Sequence, residues 1–335
     1  MRFTVNSIIL GKTSYNWESF SDRYVGALGM GLSFSNGNIR RELKAEEQCL
    51  SNVPSMAGVS GLEMLDCDTR YPLLLVHGIF FRDYEHRNYW GRIPEVLEKL
   101  GAKVYYGCHQ SASSVEDSAR ELADRIRTIV EETGCEKLNI VAHSKGGLDA
   151  KYAVAMEGIE DMVASVTTIS TPHEGCEYAD YLISQAPERL SRKLNHLYYA
   201  VFKMLGDDNP DFVAGVSSIT VENCKIINEK ICDFDFQEHG IYTQSVGSQM
   251  KTPKSSVFIP LNASYKIVRD FDGPNDGLVG TESFSWGERY IFVENSNNIG
   301  ITHGDMIDLT RQNIDGFDVR QFYVNLVNDM KNRGM

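Results

Sequence analysis

From Tyr71 onward, apolar and polar positions fall into a regular alternation of two patterns. Leu73-Leu-Leu-Val76 is a short unbroken apolar run, as in a strand buried on both faces. A helix is predicted near Ile93–Leu100, closed by Gly101, and a strand at Lys103–Tyr106. Ser114-Val-Glu-Asp117 can cap the next helix, which continues as SARELADRIRTIVEE with Leu122, Ile126 and Ile129/Val130 on one stripe. Lys137–Ala142 reads as a strand, Gly146–Met156 as a helix and Val163–Ile169 as a strand. This βαβ spacing predicts an α/β protein with a mostly parallel central sheet flanked by helices.

Between Cys176 and about Ile231 the alternation stops. Leu190, Leu194, Leu197/Tyr198, Val201 and Leu205 recur at helical spacing, an amphipathic stripe that suits either core or a lid over a site. Strands resume at Ile241–Val246 and Tyr290–Val293, and Val319–Met330 reads as a closing helix. Residues 1–68 lack this rhythm and are expected to be an extension packed on the main domain, residues 69–335. Gly26-Ala-Leu-Gly-Met-Gly31 lacks the Lys-Ser/Thr ending of a phosphate-binding loop and reads as a turn.

Composition narrows the function. The 335 residues carry 33 Lys+Arg against 46 Asp+Glu, a formal net charge of -13. That balance argues against nucleic acid, whose binding needs a basic footprint. It also disfavours electrostatic docking on anionic lipid, so any lipid contact has to be apolar. The seven cysteines are scattered with no C-x-x-C pair, which fits reduced thiols. No signal peptide is visible and no run approaches the ~18–20 apolar residues of a membrane span. The expectation is a cytoplasmic protein or the mature form of a secreted one.

Candidate chemistry centres on Ile140-Val-Ala-His-Ser144-Lys-Gly-Gly-Leu148, a strand, a serine between small residues, then a helix. This is the nucleophile-elbow pattern with Ala142 at the first small position. The turn is tight enough that larger neighbours would clash, and it lifts the hydroxyl to the carboxyl end of the sheet with a helix N-terminus behind it. His77-Gly78-Ile79 follows the first strand, so the N–H groups of Ile79 and Lys145 can form a two-donor oxyanion hole. The serine needs a base and the base an orienting carboxylate, in the chain order serine, acid, histidine. His303, in the loop Gly300-Ile-Thr-His-Gly-Asp305, suits the base; His239 reads as a surface residue. Asp276, in Gly273-Pro-Asn-Asp-Gly-Leu-Val279, suits the acid, with Asp270 and Asp272 as neighbours that could be solvated loop charges.

With these residues in view, the sequence closely resembles the bacterial triacylglycerol lipases of the α/β-hydrolase superfamily related to the Pseudomonas and Burkholderia lipases. The likeness covers about residues 70–335. It rests on Tyr71-Pro-Leu-Leu-Leu-Val-His-Gly78, Asn88-Tyr-Trp-Gly91, Ala142-His-Ser-Lys-Gly-Gly147, Ser170-Thr-Pro-His-Glu-Gly175, Asn275-Asp-Gly-Leu-Val279 and Thr302-His-Gly-Asp305. It implies the α/β-hydrolase fold, a mobile helical lid at about 176–231, Ser144 as nucleophile, Asp276 as acid, His303 as base, and Ile79 and Lys145 as oxyanion donors. The implied activity is acylglycerol cleavage at a lipid–water interface. A short-chain esterase, an acyltransferase and a non-catalytic relative stand as alternatives. No cofactor is needed for the chemistry. The family often carries a structural calcium, for which Asp305 matches one ligand, whereas Leu309 stands where an amide ligand is expected. Asp117 matches a zinc ligand of one lipase branch, but the rest of that site is absent and helix capping is the better reading.

Overall fold

The computed structural model describes residues 62–79, 89–185, 211–256, 259–295 and 298–335. Six parallel strands form one sheet: β1 (Leu73–Val76), β2 (Val104–Tyr106), β3 (Leu138–His143), β4 (Val163–Ile169), β5 (Tyr242–Ser248) and β6 (Arg289–Val293). Their spatial order is β2-β1-β3-β4-β5-β6. The chain leaves β1 toward β2 on one side and returns to β3 on the other. That reversal opens a crevice at the carboxyl ends of β1 and β3, where open α/β sheets place their ligands.

Helices cover both faces. They are α1 (Ile93–Lys99), α2 (Val115–Thr133), α3 (Lys145–Met156), α4 (Glu177–Gln185), α5 (Phe212–Ser217), α6 (Val221–Lys230), α7 (Ile259–Asp272) and α8 (Val319–Asn332). Because strand side chains alternate, Leu74 and Val76 face α2 and α3 in one core cluster, while Leu73 and Leu75 join α1 and α8 in another. The α2 stripe buries Leu122, Ile126 and Ile129 completely, each contributing roughly 1.5–3 kcal/mol. Its start is a reciprocal cap. Ser114 Oγ accepts from the Asp117 N–H at 3.1 Å and donates to Asp117 Oδ2 at 2.8 Å, so Asp117 is a capping residue as expected.

The expected strands and helices recur with ends moved by one or two residues. Of the irregular stretch, α6 is firmly built in: Cys224, Ile227 and Ile231 belong to the first core cluster. The stripe from Leu190 to Leu205 lies outside the described residues, as does the extension up to residue 61, including the Gly26–Gly31 turn. At the end of that extension Cys67 is buried and its N–H donates to the Leu100 carbonyl. Among the described residues the cysteines form no disulfide, and no helix is long and apolar enough to cross a membrane.

Candidate active site

The β1 and β3 ends are in register, Val76 opposite Ala142, so the residues that follow, His77-Gly78 and His143-Ser144, also lie side by side. Ser144 turns the chain from β3 into α3 with φ 55° and ψ -132°, a strained conformation for a side-chain-bearing residue. Three glycines allow it. A Cβ on Gly78 would come within 2.9 Å of Ser144 Cβ, one on Gly146 would overlap the His77 carbonyl, and one on Gly147 would overlap Thr171 Oγ1. The small residues of the motif are thus a steric demand of backbone passing over backbone. Ala142 meets the same demand on the strand side with its methyl fully buried.

Asp276 and His303 reach this crevice from separate loops moored to one segment. Met250, just past β5, donates to the Asn275 carbonyl, and Ile301 donates to the Gln249 carbonyl on the other side. His303 Nδ1 then donates to Asp276 Oδ2 at 2.7 Å, and the His303 N–H to the Asp276 carbonyl at 2.8 Å. Asp276 Oδ1 accepts from the N–H groups of Leu278 and Val279 at 3.0 and 2.9 Å. The carboxylate is fully buried and accepts three of these hydrogen bonds. Proton donation from Nδ1 leaves Nε2 as the basic nitrogen. The structure thus brings the expected acid and base together. Among the described residues no hydrogen bond joins His303 to the Ser144 hydroxyl, a contact that free hydrolases commonly tighten only with substrate.

His143 links the two halves. Its Nε2 donates to the His303 carbonyl at 3.2 Å and its Nδ1 accepts from the Tyr89 hydroxyl at 2.7 Å, which requires the neutral Nε2–H tautomer. Complete burial, reinforced by His303 4.5 Å away ring to ring, holds its pKa well below the usual imidazole range, so it stays neutral. Sequence reasoning assigned no role to Tyr89 or His143, although the Tyr-Trp and His-Ser pairs that contain them were visible.

Of the expected oxyanion donors, Ile79 lies three residues past the end of β1. Lys145 opens α3, where an N–H has no acceptor one turn back. Among the described residues neither the Ile79 nor the Lys145 N–H is given to a backbone carbonyl. The Lys145 side chain is fully buried against Asp149 on the next turn, an i,i+4 pairing legible in the sequence and missed. Burial pushes the Asp149 carboxyl up to about 6 despite the adjoining ammonium.

The remaining candidates fall outside the chemistry. Asp272 is no solvated loop charge: at the end of α7, its carboxylate accepts from Glu177 N at 2.8 Å and Tyr178 N at 3.2 Å, tying α7 to the start of α4. His239 is exposed and stacks on Phe234. Asp305 accepts from the Thr302 N–H at 2.8 Å within its own turn. The nearby Asp308 is committed to Arg92, and among the described residues no three acidic, histidine or cysteine groups converge. Of the six to eight oxygens a calcium ion takes, Asp305 is the one side-chain ligand the sequence reading supplies.

A family profile described as the alpha/beta hydrolase fold matches residues 71–201. The triacylglycerol lipase of Vibrio cholerae is 29% identical over 240 residues, 66% of this chain and 75% of that protein. That of Burkholderia plantarii is 31% identical over 198 residues, 52% of this chain, and the match spans only 55% of the relative's own length. The solved Staphylococcus hyicus lipase superposes with a TM-score of 0.58 over 79% of this chain and 97% of its own, at 16% identity, a likeness of fold. A parallel sheet with a strained serine at its switch point and a buried acid–histidine pair beside it defines an α/β-hydrolase. Within that superfamily the curated proteins it is similar to are bacterial triacylglycerol lipases.

Proposed function

We propose that this chain is a serine carboxylic ester hydrolase, a lipase that cleaves acylglycerols through an acyl-enzyme on Ser144. The observation that carries this reading is the 2.7 Å Asp276–His303 hydrogen bond at the same end of the sheet as a serine held at φ 55°. Asp276 keeps the proton on Nδ1, and His303 Nε2 takes the Ser144 proton as Oγ attacks the ester carbonyl. The carbonyl electrons move onto oxygen, which the N–H groups of Ile79 and Lys145 receive in this reading. His303 then gives its proton to the departing alcohol, and water releases the acid by the same steps reversed. Side chains and water complete this chemistry.

The relatives' names support acylglycerols as the substrate class. The lid expected over about 176–231 stays part of this reading. At the far end of that stretch, Cys224, Ile227 and Ile231 pack in the first core cluster.

Two measurements test it. Ser144→Ala should abolish turnover of p-nitrophenyl esters and labelling by a fluorophosphonate while the melting curve stays near wild type; retained turnover sinks the assignment. A triglyceride series crossing its solubility limit should show a rise in rate at the interface. A smooth curve with a short-chain preference identifies the alternative, an esterase on soluble esters.

A further inference from the structure

Both walls beside Ser144 lead back to one buried carboxylate that takes no part in the Asp276–His303 pair. Asp149 sits one turn past Lys145 on α3, 1% exposed. Its Oδ1 accepts from Lys145 Nζ at 2.7 Å, and the same ammonium donates to Ser118 Oγ at 3.0 Å. Its Oδ2 faces His109 Nε2 at 3.3 Å. The His109 ring lies on the His77 ring, centroids 4.3 Å apart and planes 8° from parallel. His77 in turn places Nε2 3.1 Å from the His109 carbonyl and Nδ1 2.9 Å from the Gly78 carbonyl.

What these contacts orient is backbone. The Gly78 carbonyl and the Ile79 N–H belong to one planar peptide, so a ring that holds the first sets the direction of the second. The Lys145 N–H belongs to the residue whose long side chain is moored to Asp149. A buried carboxylate–ammonium pair is commonly no more stabilising than apolar residues of the same volume, so stability alone gives no reason for this one. A demand for fixed orientation does.

We propose that Asp149 is a positioning residue of the oxyanion site. Through Lys145 on one wall, and through His109 and His77 on the other, it holds the two N–H groups in one mutual orientation. The inference rests on the ester-hydrolase reading above and extends it to a residue that touches neither substrate nor reacting atoms.

The test compares Asp149→Ala and Asp149→Asn with the wild-type full chain on a soluble p-nitrophenyl ester, with rates counted per site titrated by a fluorophosphonate. Asparagine keeps an oxygen for Lys145 but loses the charge; alanine loses both contacts. The expected result is a kcat about 10–100-fold lower in Asp149→Ala, below the full loss of a donor, with KM within about 3-fold and partial recovery in Asp149→Asn. An aryl boronic acid, tetrahedral once bound to the serine, should lose affinity by the same factor as kcat. Per-site kcat and boronate affinity at wild-type values, with only the melting temperature or the fraction of active sites reduced, overturn the proposal. Should Asp149→Ala fail to fold, the double variant Lys145→Met, Asp149→Val removes both charges at similar volume. The same two readouts then decide: loss of both supports the proposal, wild-type values overturn it. A wild-type chain that turns over no ester and takes no fluorophosphonate refutes the ester-hydrolase reading, and this proposal with it, before any variant is compared.

Discussion

His303 hangs from Asp276 at two points, ring to carboxylate at 2.7 Å and backbone N–H to backbone carbonyl at 2.8 Å. The second contact survives any change of the Asp276 side chain, so the loop stays in place while the ring loses its orienter. Asp276→Asn should therefore keep the fold and lower kcat by about 10³–10⁴-fold, because an amide nitrogen facing Nδ1 favours the wrong tautomer. Stopped assays on a p-nitrophenyl ester, paired with a melting curve, check this; a loss below about 10-fold would remove Asp276 from the acid role.

Gly147 and Thr171 touch where α3 crosses the end of β4. Gly147→Ala should cost about 1–3 kcal/mol through overlap with Thr171 Oγ1. Among the described residues that buried hydroxyl has no hydrogen-bond partner, so Thr171→Ala should be mild alone and should recover part of the loss in the double variant. Denaturant midpoints of the four proteins form the cycle, and additive losses would refute the contact.

Arg92 grips Asp308 with two nitrogens, Nε at 2.7 Å and a terminal nitrogen at 2.8 Å, and the Asp308 carboxylate is almost wholly buried. The pair closes the turn that follows His303. Arg92→Ala leaves an uncompensated carboxylate, with an expected cost of about 2–4 kcal/mol, somewhat below a fully buried pair because Arg92 itself is partly exposed. Per-site kcat should fall several-fold as the His303 loop loosens. A melting temperature unchanged from wild type would show that the pair does not brace the loop.

Lys151 is buried beneath Trp286, with Asn228 Oδ1 2.7 Å from its ammonium, and burial lowers its pKa from 10.5 to about 8. Between pH 8 and 10.5 the unfolded chain therefore holds a proton the native chain has shed, so stability rises with pH across that window. Lys151→Met should stabilise the protein at pH 7 by about 1–3 kcal/mol, an advantage that fades toward pH 10. Melting temperatures of both proteins at pH 7, 8.5 and 10 decide it; parallel curves would refute the shift.

The sheet was legible in the sequence because its strands are short apolar runs separated by capped, striped helices, and both patterns are local. Ser144 was legible for the same reason, since a strand, a small-residue turn and a helix are contiguous in the chain. Asp276 and His303 were read from chain order and loop character, but their bond was not, because it depends on two loops moored to opposite sides of Gln249–Met250. Asp272 shows the limit of such reading: an acid among loop acids in sequence, it caps a helix begun 95 residues earlier.

The acidic balance and the unbroken strands were determined by the chain alone, because charge and local periodicity need no partner. The His77–His109–Asp149 chain and the Tyr89–His143–His303 link were decided only by folding. A buried polar side chain takes whichever partner the tertiary fold sets within hydrogen-bond reach, and sequence separations of 32 to 160 residues carry no record of that distance.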